Sequence, residues 1–146
     1  MNTKLLKDYV LSTIKDGEKK ANMRPKTLAK LEALYKRIPK VDCKGLCHKS
    51  CTLIPVADIE MKRAKQRLHY NPFQPAKQAM EITKTGKVPS CKALKDNRCS
   101  IYHIRPAICR LYAAAEGLDC PFGCKPEGKQ LSKQEAYQLI REIEAI

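Results

Sequence analysis

Apolar residues recur at helical spacing in four stretches of the chain, two of them near its start. In the first stretch Leu6, Val10 and Ile14 repeat every four residues, as one face of an amphipathic helix requires. The second stretch is predicted to begin near Pro25, a residue favoured in the first turn of a helix, and to end before Pro39. Its apolar face consists of Leu28, Leu31, Leu34, Tyr35 and Ile38. The pattern therefore predicts a helical hairpin.

The other two helical stretches lie farther along the chain. A third helix is predicted from about Val56 to His69, with an inward face made of Ile59, Met61, Ala64 and Leu68. Residues 72–90 contain three prolines and a glycine and are predicted to be an irregular linker. The last helix is predicted to begin at a capping box formed by Ser132 and Glu135. Its buried face consists of Ala136, Leu139, Ile140 and Ile143.

Two shorter signals lie between the third and last helices. Asp96 and Asn97 are turn-forming residues between two cysteines, and a turn there could fold the two thiols toward each other. Pro106 can begin a short helix that places Cys109 one turn farther on.

Composition excludes several classes of protein. The 146 residues include 29 Lys and Arg against 15 Asp and Glu, a formal net charge of +14, and 43% are hydrophobic. That apolar content is too high for a disordered tail. The chain also lacks a run of about eighteen apolar residues, so we expect no membrane span. Because no long apolar stretch follows Met1, we expect no secretory leader and a cytoplasmic location.

The 8 cysteines are the main chemical feature of the sequence. They form two groups, Cys43-x3-Cys47-x3-Cys51 and Cys91-x7-Cys99-x9-Cys109-x10-Cys120-x3-Cys124. Structural disulfides are rare in a reducing cytosol, whereas zinc and iron–sulfur clusters require clustered thiolates. We therefore predict that the eight cysteines are metal ligands in two four-ligand sites, with one site plus spare thiols as the alternative. Disulfide pairing in an exported protein is the alternative, and His48 could replace one sulfur ligand.

The second cysteine group carries a specific resemblance to a known family. The matching segments are Cys91-Lys92-Ala93-Leu94, Cys99-Ser100-Ile101-Tyr102 and Arg105-Pro106-Ala107-Ile108-Cys109-Arg110. They resemble the YkgJ family of cysteine-cluster domains, whose pattern includes Cys-x2-Leu, Cys-x-Ile-Tyr and Arg-Pro-x2-Cys-Arg. The resemblance covers residues 43–124. The first cysteine group departs from the family pattern Cys-x2-Cys-x2-Cys-Cys, because its thiols are spaced by three residues and no two are adjacent.

The resemblance implies a domain that chelates zinc or iron in a cytoplasmic protein of bacterial or phage type. Together with the helical pattern, it predicts a small, mainly α-helical single domain with an irregular cysteine-rich centre stapled by metal. Residues 1–40 are predicted to form the hairpin that packs on the core. Residues 41–146 are predicted to form the cysteine-cluster metal-binding domain with its C-terminal helix.

Residues around such a centre must offset its charge. Four thiolates on Zn²⁺ or on an oxidised four-iron cube leave a net charge of about −2, which nearby cations compensate. We predict that Arg105, Arg110 and Tyr102 lie at the cofactor. The alternative for Arg105 is a salt bridge or a clamp on a backbone carbonyl, and the alternative for Tyr102 is core packing. The apolar shield is predicted to consist of Ile101, Tyr102, Ile104 and Ile108. Irregular gaps without a Cys-x2-Cys pair favour an iron–sulfur cluster (4Fe-4S), and zinc is the alternative.

Three classes of function fit these observations. The first is a metal-binding protein that uses a basic surface, formed by the first helices and residues 62–67, to bind a protein or nucleic acid partner. The second is a redox or modifying enzyme that depends on its cluster, and the third is a zinc protein that binds nucleic acid. No Gly-rich phosphate loop and no Ser nucleophile elbow occur, so the sequence predicts no catalytic residue.

Overall fold

The computed structural model describes residues 23–52 and 54–146. The first predicted helix, with Leu6, Val10 and Ile14, lies outside the described residues. The elements are α1 (Pro25–Tyr35), α2 (Asp58–Leu68), α3 (Pro75–Thr85), β1 (Leu94–Lys95), β2 (Arg98–Cys99), α4 (Ala107–Leu111) and α5 (Lys133–Glu144). Two 3-10 helices, His48–Ser50 and Tyr102–Ile104, lie between them. The predicted fold class, mainly helical with a cysteine-rich centre, is confirmed.

Helix α1 confirms the second predicted helix, with Pro25 in its first turn. It buries Leu31 and Tyr35, and the buried Ile38 follows the end of the helix. These side chains pack with residues of α4 and α5 in the larger of two core clusters. Its buried members are Leu31, Tyr35, Ile38, Ala107, Leu111, Ala114, Ala115, Ala136, Leu139 and Ile143. Hence α1 shares one apolar core with the C-terminal helix.

Helix α5 confirms the predicted capping box. The Ser132 Oγ accepts from the Glu135 N–H at 3.2 Å, and the Glu135 carboxylate accepts from the Ser132 N–H at 2.7 Å. These two bonds satisfy backbone donors that have no partner inside the helix. Of the predicted apolar face, Ala136, Leu139 and Ile143 are buried and Ile140 is partly buried. Complete burial of a leucine such as Leu139 contributes about 1.5–3 kcal/mol.

The prediction that residues 72–90 form an irregular linker is wrong, because α3 occupies most of this segment. Pro75 is the first residue of α3, where its missing N–H costs no hydrogen bond. Gly86 follows the last residue with φ 66°, the left-handed conformation that commonly ends a helix. Proline and glycine thus mark the two ends of a helix here, rather than a segment without one.

A β-hairpin confirms the turn predicted between Cys91 and Cys99. Strands β1 and β2 pair antiparallel, with Leu94 opposite Cys99. Asp96 and Asn97 both have positive φ, 50° and 61°, as the type I′ hairpin turn requires. The hairpin lies beside the second core cluster, whose buried members are Ala64, Phe73, Ala93 and Ile101.

The short helix predicted after Pro106 is also confirmed, since α4 begins at Ala107 and contains Cys109. It contacts α5 through the larger core cluster. Among the described residues, no helix is long and apolar enough to cross a membrane.

Candidate metal centre

All eight cysteines are free thiols in the structure; Cys43 is exposed and the other seven are partly buried. Their segments are far apart in sequence, so the fold decides which sulfurs are neighbours.

The first cysteine segment is a loop rather than a helix. Gly45 takes φ 69°, a left-handed conformation that turns the chain between Cys43 and Cys47. A single 3-10 turn, His48–Ser50, then separates Cys47 from Cys51. Of the two arrangements left open by the sequence, three thiols along one helix face or a tight loop, the structure has the loop.

Four sulfurs from two loops form what we call the outer group: Cys43, Cys47, Cys120 and Cys124. The Lys44 N–H donates to the Cys124 Sγ at 3.5 Å, and the Lys44 Nζ donates to the Phe122 carbonyl at 3.4 Å. Burial raises the pKa of the Cys47 thiol, and the charges of Cys43, Cys120 and Cys124 raise it further. The thiols of this group are therefore close enough to interact electrostatically.

Backbone donors stabilise the thiolates of the outer group. The Gly45 N–H donates to the Cys43 Sγ at 3.3 Å. Burial acts to raise the pKa of the Cys120 thiol, but hydrogen bonds from the Phe122 and Cys124 backbone outweigh it, so the pKa is lowered. A depressed thiol pKa favours the thiolate, the form that binds metal.

The other four sulfurs, which we call the inner group, come from three segments: Cys51, Cys91, Cys99 and Cys109. The Cys91 N–H donates to the Cys51 carbonyl at 2.8 Å, which joins the first segment to the base of the hairpin. Burial raises the pKa of the Cys51 thiol to about 11, and the charge of Cys91 is the next cause. Burial also raises the pKa of Cys109, with the charges of Cys91, Cys99 and Cys51 adding to it.

The two groups are adjacent. After Cys91, the charge that most raises the pKa of Cys51 is that of Cys47, a member of the outer group. His48 lies in the 3-10 turn between these two cysteines and is partly buried. The two groups are therefore neighbours, and Cys51 interacts with members of both.

The donor set fits a zinc or iron–sulfur centre by its chemistry. Four thiolates are the ligand set of structural zinc and of 4Fe-4S clusters. Burial and the charges of neighbouring thiolates disfavour the thiolate form of Cys47, Cys51 and Cys109 without metal, and a bound cation reverses that preference. In the part of the chain that the structure describes, no three His, Cys, Asp or Glu side chains converge closely enough to hold an ion. Metal binding therefore requires the thiols of a group to move closer together than they are here.

Arg105 and Tyr102 form a stacked pair beside the inner group. The guanidinium lies 3.9 Å from the centroid of the Tyr102 ring, and its Nη1 donates to the Tyr102 carbonyl at 2.9 Å. Burial is the main cause that raises the pKa of Cys109, and the positive charge of Arg105 acts to lower it. Tyr102 itself is 46% exposed, so its predicted role in the apolar shield is wrong. Ile101 and Ile104 do pack against the cluster that includes two inner cysteines.

Arg110 binds the main chain before α4. Its Nε donates to the Arg105 carbonyl at 2.8 Å and its Nη2 to the His103 carbonyl at 3.1 Å. The guanidinium also lies 4.0 Å from the centroid of the Tyr35 ring. Burial is the main cause that lowers the pKa of Arg110. Both arginines therefore donate to backbone carbonyls, which is the clamp that was predicted as one alternative for Arg105.

Comparison with known families identifies this centre. The family model CxxCxxCC, described as "Putative zinc- or iron-chelating domain", matches residues 42–141, more than half of the chain. The chain belongs to the CxxCxxCC family. This is the YkgJ-type family, so the resemblance noted in the sequence is confirmed, and so is a cysteine cluster of the zinc- or iron-chelating kind. No curated relative and no solved structure matches the chain.

A buried carboxylate connects the CxxCxxCC domain to the helix before it. Glu60 is 5% exposed, and its Oε1 accepts from the Tyr35 hydroxyl at 2.7 Å and from the Ala107 N–H at 2.6 Å. Its Oε2 accepts from the Ala57 N–H at 3.3 Å. Ala107 is the first residue of α4, the helix that contains Cys109. One side chain therefore joins α1, α2 and α4 next to the inner group.

Glu60 was not among the residues predicted to be buried. The apolar pattern predicted Ile59, Met61, Ala64 and Leu68 on the inward face of this helix, but the structure buries Glu60 and Ala64 and leaves the other three partly exposed. The available signal was position, because Glu60 precedes Ala64 by four residues and so lies on the same face. A charged residue at such a position is rarely buried without partners, and the partners come from distant segments.

Proposed function

We propose that this chain binds metal at two sites of four thiolates each, the outer group and the inner group. The observation that supports this best is the gathering of eight thiols from distant segments into two neighbouring sets of four. Cys47 interacts with the three other outer cysteines, and Cys109 interacts with the three other inner ones. The same partition accounts for all eight sulfurs without a spare thiol.

An iron–sulfur cluster is the first candidate for the bound group. The irregular cysteine gaps favour it, and Arg105 stands beside the inner thiols, where a cation offsets the negative charge of a cluster. When bound, such a cluster supplies one-electron redox chemistry. Zinc is the second candidate, because four thiolates are also the ligands of its closed structural sites, and a small core benefits from such a staple.

Metal analysis of the full chain tests the number of sites and the metal together. Protein purified under anaerobic conditions is expected to be brown, with iron and sulfide in equal amounts; a colourless protein with two zinc ions per chain would select zinc. Cys109→Ser and Cys120→Ser should each remove the content of one site. Ser50→Ala, an exposed serine between the two groups, is the matched control and should retain both. Full metal content in both cysteine variants would refute the ligand assignment.

A redox role is a narrower proposal on the same centre. If the cluster transfers electrons, dithionite should bleach the visible absorption and air or ferricyanide should restore it. Absorption that does not respond to dithionite would leave a structural role for the cluster.

The basic surface supports a macromolecular partner. On α2 the side chains of Lys62, Lys65 and Arg67 are exposed, and in residues 23–52 and 54–146 the ion pairs do not include them. Arg63 of the same helix instead pairs with Glu32. We propose nucleic acid as the partner, in a cytoplasm that keeps the thiols reduced. A gel shift with random DNA and RNA should appear at low salt and weaken at high salt, and no shift at low salt would refute the proposal.

A further inference from the structure

We infer that the two thiol groups differ in kind: the outer group is an exchangeable metal site, and the inner group is a permanent site that belongs to the fold. This inference rests on the proposed function, because it requires that both groups bind metal. It concerns how each site gains and loses an ion, which the family description does not specify.

The inner group is supported on every side by elements of the fold. Cys99 is paired within the hairpin, and Cys91 and Cys99 pack against a core cluster. Cys109 lies in α4, whose first N–H is fixed by the buried Glu60 at 2.6 Å. To open this site, the protein would have to disturb the hairpin, α4 or the apolar cluster between them.

Within residues 23–52 and 54–146, the outer group is supported by contacts between two surface loops. These contacts include the Lys44 hydrogen bonds to the Cys124 sulfur and the Phe122 carbonyl, a backbone bridge between Val41 and Pro126, and a hydrogen bond from the Glu127 N–H to the Lys40 carbonyl at 2.7 Å. Among the described residues, neither core cluster includes any member of segments 42–47 and 119–127. The loops can therefore separate without breaking a core contact.

The outer group is also open to a competing ligand at Cys43, whereas its other three thiols are partly buried. Cys43 is exposed, and the neighbouring side chains of Leu46 and Phe122 are 52% and 44% exposed. A Cβ added at Gly45 or Gly123 would meet no atom within 4 Å, so the space beside both loops is open. An incoming sulfur ligand can thus approach the group without displacing a buried side chain.

Exchange at the outer group is a ligand substitution. Each thiolate of an acceptor would replace one cysteine thiolate at the ion, so the ion keeps four sulfur ligands and no electron is transferred. The Lys44 and Gly45 backbone donors can hold the released thiolates while the site is empty. This exchange applies to a single soft ion such as Zn²⁺, the second candidate above, and the ligand class that would deliver or remove it is a thiolate carrier.

The experiment uses the full chain loaded with Zn²⁺, whatever metal it carries on purification, and the chromophoric chelator 4-(2-pyridylazo)resorcinol in excess. We expect two phases of equal amplitude, with one zinc ion released at least tenfold faster than the other. Alkylation during the fast phase, followed by peptide mass spectrometry, should label Cys43, Cys47, Cys120 and Cys124 before the other four cysteines. Labelling of inner cysteines first, or release of both ions in one phase, would overturn the inference.

Variants separate this inference from the proposed function. Cys120→Ser should abolish the fast phase of zinc release and leave the rate of the slow phase unchanged. The melting temperature of the chain that retains the slow zinc ion should also be unchanged. Cys43→Ser should do the same, whereas Ser50→Ala should retain both phases. If the wild-type chain binds fewer than two zinc ions, the proposed function fails. If it binds two and Cys120→Ser removes the slow phase, only the inferred difference between the outer and inner groups fails. Cys109→Ser is not needed for this decision, so its failure to fold would not obscure the result.

Discussion

Replacement of Glu60 tests the connection between the metal centre and the rest of the fold. In Glu60→Leu the volume is nearly preserved, but the Tyr35 hydroxyl and the Ala107 N–H lose the acceptor that they share at 2.7 and 2.6 Å. Both donors lie in a buried environment, because Glu60 is 5% exposed and Tyr35 is also buried. An unsatisfied buried donor costs about 1–3 kcal/mol, so the variant should lose about 3–5 kcal/mol of unfolding free energy.

Chemical and thermal unfolding of the full chain would measure this loss. For a chain of this size each kcal/mol lowers the melting temperature by about 2–4 °C, so a fall of about 10 °C is expected. Glu60→Gln retains one acceptor oxygen and should lose less. Because Ala107 begins the helix of Cys109, Glu60→Leu should also accelerate the slow phase of zinc release, which a general loss of surface contacts would not do.

A matched pair of tyrosine variants gives the control. Tyr35→Phe removes one partner of the buried carboxylate and should cost about 1–2 kcal/mol. Tyr70→Phe removes a hydroxyl that donates to the Lys92 carbonyl at 2.9 Å on the exposed surface, and should cost almost nothing. A double-mutant cycle between Tyr35→Phe and Glu60→Gln should show coupling. Equal stability of the two tyrosine variants, or a loss below about 1 kcal/mol in Glu60→Leu, would refute the reasoning.

Two further predictions concern the same core. Burial raises the pKa of Tyr35 in the folded chain, and the charge of Glu60 adds to it, so this group stabilises the fold below the ordinary tyrosine pKa of about 10 and loses that contribution as the pH rises above it. Above about pH 10, the unfolding free energy of the wild type should therefore fall more steeply with pH than that of Tyr35→Phe. Urea unfolding at a series of pH values measures this, and the same pH dependence in both proteins would contradict the prediction. Ser132→Ala removes the acceptor of the α5 capping box and should cost about 1 kcal/mol by thermal unfolding, compared with no change in Ser50→Ala; a Ser132→Ala protein as stable as the wild type would disprove the role of the cap.

Where the signals are local, the sequence was sufficient. Pro25 in a first turn, the Ser132–Glu135 capping box and the Asp96–Asn97 turn each act within a few residues, and the structure has each element at the predicted place. The same short-range logic misled at residues 72–90, since proline and glycine can begin and end a helix as well as interrupt one. The family pattern likewise depends on residues that are close in sequence.

The chain by itself therefore determined α1, α2, α4, α5, the hairpin and the presence of a thiol-rich centre, but α3 was not predicted. Only the tertiary structure decided that Cys47 interacts with Cys120 rather than with Cys91, and that a carboxylate on α2 binds donors on α1 and α4. Caps and turns are decided by atoms a few bonds apart along the backbone. Which sulfurs become neighbours, and which charge can be buried, depends on loops and helices that meet only after the whole core has packed.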